Sequence, residues 1–120
     1  MIKVEFFYFG GNQMDDSLFE LPSHVDEFNK RTQDVTNKVN KLFKLNLRVD
    51  AINEEAPKYF NSQYRRYLQS VQSKMVKALT SLSNQLMQKN LIAPMIVIPG
   101  ADWQDIDRIL KMIEDRINKY

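Results

Sequence analysis

The sequence predicts an α/β domain in three layers, its elements ordered βαβαβα around a small sheet of three strands, or four. Three observations lead there. Leu91-Ile92-Ala93-Pro94-Met95-Ile96-Val97-Ile98-Pro99-Gly100 is apolar on both faces if extended, and proline and glycine close it, which is the pattern of a strand buried between layers. Residues 2–9 have the same character in their second half. Between and after these two stretches, apolar residues recur at spacings of three and four, so helices alternate with the strands.

Taken in order, the first strand covers residues 2–9. Ile2, Val4, Phe6 and Tyr8 share one face, and on the other Lys3 and Glu5 give way to Phe7 and Phe9. Gly10, Gly11 and Asn12 end it, and a loop carrying Asp15 and Asp16 follows. Ser23 is placed to cap the first helix, with Asp26 at the reciprocal position. Val25, Phe28, Thr32, Val35, Val39 and Leu42 form the stripe of that helix, which ends near Lys44. In residues 45–52, Leu47, Val49 and Ala51 alternate with Asn46, Arg48 and Asp50, the mark of an edge strand with one buried face. Asn53 can cap a short helix bearing Glu54 and Glu55. From residue 62 to 90 no proline or glycine interrupts the chain, and Tyr64, Leu68, Val71, Met75, Leu79, Leu82 and Leu86 make a long helical stripe. At 1.5 Å per residue that helix runs roughly 40 Å, more than a small sheet needs, so part of it is expected to project or meet a partner. After the apolar strand, Asp102 caps the last helix, whose buried face is Ile106, Ile109, Leu110, Ile113 and Ile117.

Composition bounds the chemistry. A chain of 120 residues fits one domain, 1–120, with a real core. Its 17 basic and 15 acidic residues balance to +2, too little to imply nucleic acid on charge alone. With no cysteine there is no disulfide, thiolate metal site or thiol nucleophile, and a single histidine excludes any site that needs two. No apolar run reaches the roughly 18 residues of a membrane span, and the N-terminus lacks a signal-peptide pattern. The expected setting is cytoplasmic, without cofactor or resident metal.

Three short pieces bear a family likeness. Val4-Glu5-Phe6-Phe7-Tyr8-Phe9-Gly10, Leu47-Arg48-Val49-Asp50-Ala51-Ile52-Asn53-Glu54-Glu55-Ala56 and Ile92-Ala93-Pro94-Met95-Ile96-Val97-Ile98 resemble, in turn, the first core strand, the second strand with its helix start, and the proline-opened strand of the thioredoxin-like superfamily. The resemblance implies that fold in a form without redox activity, because Asn12-Gln13-Met14-Asp15 stands where the family carries Cys-x-x-Cys. The long helix would be an insertion, and the family's last hairpin has little room. A minimal parallel, Rossmann-like sheet accounts for the same order.

Two candidate sites follow. If the strands are parallel, their carboxyl ends gather Asn12, Asp15, Asp50 and Asp102 along one edge, where carboxylates beside a glycine turn could hold Mg²⁺ and a phosphate. The plainer reading makes Asp50 and Asp102 turn formers and caps, and no phosphate-loop pattern favours the sharper one. The second candidate is Tyr64, Arg65, Arg66 and Tyr67, with Lys74 and Lys77 further along, preceded by Tyr59 and Phe60. Aromatics interleaved with arginines can anchor a protein interface or stack bases, although amphipathic packing with a solvated basic face is the simpler account. His24 belongs to no recognised triad, and Trp103 is expected to cover the core at the last helix start. The leading functional expectation is a non-enzymatic binding or accessory protein acting through protein contacts of helix 62–90, self-association included. A small RNA or single-stranded DNA binder is the alternative, and an Mg²⁺-dependent phosphate-handling enzyme is the second alternative.

Overall fold

The structure, a computed structural model, describes residues 16–120. Among them are a 3₁₀ segment, Asp16–His24, and three α-helices: α1 Val25–Phe43, α2 Ser62–Gln88 and α3 Trp103–Ile117. No strand occurs among the described residues, which overturns the α/β class, the three-layer sheet and its thioredoxin-like and Rossmann-like forms. The first strand of the prediction, residues 2–9, lies outside the described residues.

The helices form where the 3.6-residue period placed them, but their ends differ in detail. Ser23 does not cap α1: its hydroxyl donates to the Glu20 carbonyl at 2.7 Å, and the cap position falls to His24, whose side chain makes no capping bond. Asp26 and Glu27 still place negative charge in the first turn, where the helix dipole favours it. Lys44 ends α1 with φ 54, its N–H returning to the Asn40 carbonyl. The short helix expected at Asn53 is absent; α2 starts only at Ser62, where the Asn61 side chain accepts from the N–H groups of Gln63 and Tyr64. Asp102 caps α3 as expected, accepting from Asp105 N–H at 2.9 Å.

The 3₁₀ segment and the three helices all pack on one another. The body measures 49 × 27 × 18 Å, so it is elongated and about two helices thick. Leu21, Phe28, Val39, Leu68, Met75, Leu79, Leu82, Ile106, Leu110 and Ile113 fill the middle. The buried stripe of α2 runs from Tyr67 to Leu86, so the helix does not outrun its own core as its length suggested. Across α1 and α3, Arg31 clamps two acids. Its Nη1 reaches Asp107 Oδ1 at 2.6 Å, and its Nη2 and Nε reach the two Glu114 oxygens at 2.6 and 3.0 Å. Hydrogen bonding from Arg31 holds the Asp107 carboxyl below its ordinary range.

The two stretches read as strands 45–52 and 91–98 are non-helical, but among the described residues neither has a strand beside it. In the first, helix side-chain amides take the place of the neighbour. Asn40 donates to the Leu47 carbonyl and accepts its N–H, at 3.0 and 2.8 Å; Asn29 does the same for Ile52, both at 2.9 Å; and Gln33 donates to the Val49 carbonyl at 2.7 Å. From α2, Gln85 accepts the Arg48 N–H and donates to its carbonyl, at 3.2 and 2.8 Å. These amides satisfy backbone groups that a sheet would otherwise have to pair, so the chain can keep an extended run in an all-helical body. Among the described residues, no helix is long and apolar enough to cross a membrane.

Candidate functional site

The N-terminal end of α2 collects exposed aromatic rings. The Asn61 cap fixes where the helix begins, and that places Phe60 just outside it with its ring 4.4 Å from Tyr64. From the 3₁₀ segment, Phe19 also stacks on Tyr64, ring centroids 6.4 Å apart with 16° between the planes. Tyr64 also leans on Tyr67 at 5.5 Å. The rings border an open pocket of about 500 Å³ lined by Phe19, Phe60, Asn61, Ser62, Tyr64, Arg65 and Leu68. Phe60 is 79% exposed and Tyr59 72%, an unusual state for large apolar side chains at one spot.

Arg65 and Arg66 are exposed beside this cluster, and among the described residues neither meets a carboxylate. Tyr67 belongs to the core instead. It is buried, and its phenol is pushed above its ordinary range by burial first, then by Tyr64 and Glu54 nearby. Of the four-residue motif, Tyr64 and Arg65 therefore line the pocket, Arg66 stands at the surface and Tyr67 supports from below.

Lys74 and Lys77 belong to a different place, a shallow groove between α2 and residues 48–53 that they share with Arg48, Asp50 and Asn53. The structure thus joins Asp50 with two lysines that the sequence assigned to the other candidate. Lys74 Nζ lies 3.3 Å from Glu54 Oε2. That oxygen is closed to solvent and makes no aligned hydrogen bond, so the lysine holds it by charge rather than by directed bonding. The Asp50 carboxylate is almost wholly in solvent, 3.7 Å from Arg48, and the Asp102 carboxylate is engaged as a cap. Asn12 and Asp15 lie outside the described residues. Among the described residues, no group of three or more acidic or histidine side chains is placed to hold a metal ion.

His24 stacks flat on Trp103, centroids 4.1 Å apart and planes within 8°, and Trp103 covers the core as expected. Sequence reasoning missed Phe19, whose only signal was its place in the Leu18-Phe19-Glu20-Leu21 run. It also missed the outward position of Ile96 and Ile98, which are 87% and 63% exposed where burial on both faces was expected. Comparison with protein-family models, curated proteins and solved structures finds no match, and the thioredoxin-like resemblance has no support there.

Proposed function

We propose that this chain is a non-enzymatic binding protein that docks a protein partner at the N-terminal end of α2. The observation that carries this reading is the open pocket between Phe19, Phe60 and Tyr64, with Arg65 on its rim and Tyr59 beside it. Aromatic rings and arginines dominate the energetic centres of protein interfaces, because rigid rings bury much area at little entropic cost and a guanidinium pairs with carboxylates at the rim. The charge on that rim selects the partner's chemistry: an apolar side chain to fill the pocket and an acidic residue nearby for Arg65 or Arg66. The apolar stripe of α2 from Tyr67 to Leu86 is not the docking surface, since the chain covers it itself.

Selection from a random peptide library against the immobilised protein tests this. The wild type is expected to enrich apolar peptides carrying an acidic residue, and both Phe60→Ala and Arg65→Glu are expected to lose that enrichment while keeping the helical circular dichroism. If neither variant changes the selected set, the pocket is not the site. If instead single-stranded RNA binds, with an affinity that falls steeply with salt and depends on Arg65 and Arg66, the partner is a nucleic acid.

A further inference from the structure

Residues 93–98 form a non-helical run that, among the described residues, has one edge engaged and the other open. Burial alternates from residue 94 on: Val97 is buried and Met95 half-buried, while Ile96 and Ile98 face out. In an extended chain successive residues also turn their N–H and C=O groups to opposite edges. Met95 directs its N–H to Met87 Sδ of α2 at 3.3 Å, so the odd-numbered residues face that helix and the even-numbered ones share the free edge. Among the described residues, the N–H and C=O of Ile96, the N–H of Ile98 and the C=O of Pro94 have no hydrogen bond. The Ile98 carbonyl is already occupied by Ala101 N–H at 3.0 Å, and Pro94 has no N–H to give. Residues 91–101 carry no charge, whereas exposed edges in soluble proteins are normally blunted by lysines or other charges.

We propose that two copies of this chain pair antiparallel along this edge, about a two-fold axis at Ile96. The free groups set the register. Ile96 opposite Ile96 exchanges two N–H···O=C bonds, and each Ile98 N–H reaches the Pro94 carbonyl of the other copy. The remaining bond of that register would run from Pro94 N–H to the Ile98 carbonyl; its donor does not exist and its acceptor is taken by Ala101. Four bonds form and no free group of the edge is left over. An axis at Val97 would ask the Ile98 carbonyl to accept twice and would leave Pro94 open. Two uncharged edges bring no like charges together, and the isoleucines of both copies meet on one face. This inference is independent of the aromatic end of α2.

The absence of cysteine makes the register directly testable. In a bonded antiparallel pair the two Cα atoms facing each other lie about 5.5 Å apart, within disulfide reach. Ile96→Cys is expected to oxidise in air to a covalent dimer about tenfold faster than Asn84→Cys, an exposed position on α2, because pairing raises the effective thiol concentration. Light scattering on the wild-type chain is expected to show a mass rising toward twice the monomer with concentration. Ile96→Lys, which sets two ammonium groups side by side, is expected to stay monomeric with unchanged helical circular dichroism. A wild type that is monomeric at every concentration, a dimer that survives Ile96→Lys, or equal oxidation rates for the two cysteine variants would each overturn the proposal.

Discussion

Two extended segments connect the helices, and both bury alternate residues against them, but they are completed differently. In residues 45–52 the outward positions are Asn46, Arg48, Asp50 and also Ala51, which the alternation places inward, and the backbone is bonded by Asn29, Gln33, Asn40 and Gln85. In residues 91–98 the outward positions include Ile96 and Ile98, and between the ends, among the described residues, the backbone is bonded by the weak contact from Met95 N–H to a thioether. The ends themselves are held: Tyr120 donates its hydroxyl to the Leu91 carbonyl at 3.2 Å, and Gln72 donates to the Pro99 and Ala101 carbonyls at 2.9 and 3.0 Å. The difference teaches that an extended run needs something on its edge and its outer face. Among the described residues, the first segment receives both from helix amides and from its own polar side chains, and the second only in part.

The sharpest way to break this comparison is to empty the buried side of the first segment. Leu47→Ala is expected to cost about 2–4 kcal/mol, read as a fall in the urea midpoint; a loss under 1 kcal/mol would show that residues 45–52 are not part of the core. Next comes the amide contact. Asn40→Ala leaves the Leu47 N–H and carbonyl without their partner and is expected to cost about 1–3 kcal/mol, whereas Met87→Leu, which removes only a weak acceptor from the second segment, should cost less than about 1 kcal/mol. Equal losses would erase the distinction between the two.

A smaller effect lies in the clamp that holds α1, the helix bearing three of the amides, against α3. Because Arg31 depresses the folded-state pKa of Asp107, the clamp's contribution is present above the ordinary carboxylate value and is lost as the pH falls below about 4. The stability gap between wild type and Asp107→Asn, followed by thermal melting, should therefore be seen near neutrality and close in acid. The smallest effect is expected at the open face. Ile98→Ala should change monomer stability by less than about 0.5 kcal/mol despite removing a large apolar group, because that side chain is 63% exposed.

The helices were legible in the sequence because their stripes are long and regular, as in Leu68, Val71, Met75, Leu79, Leu82 and Leu86, all of them buried. The Asp102 cap and the alternation of Leu47 and Val49 were legible for the same local reason. The class of the fold was not. A pattern of alternating or continuous apolar residues specifies an extended chain and says nothing about its neighbour, which can be a strand, a row of amides or another molecule. Asn29, Gln33 and Asn40 look like ordinary polar residues on a helix surface until the segment they hold is placed beside them. The candidate site was legible in part. Tyr64 and Arg65 were found by their alternation, but Lys74 and Lys77 sit further along the helix in another groove, and Phe19 enters from a distant part of the chain.

Having amides stand in for a neighbouring strand also exposes the molecule to slow chemical ageing. Asparagine and glutamine hydrolyse with heat and time, and the product at position 40 would turn a donor into a negative oxygen aimed at the Leu47 carbonyl. Storage that leaves the helices intact could thus release the connection between α1 and α2, one side chain at a time.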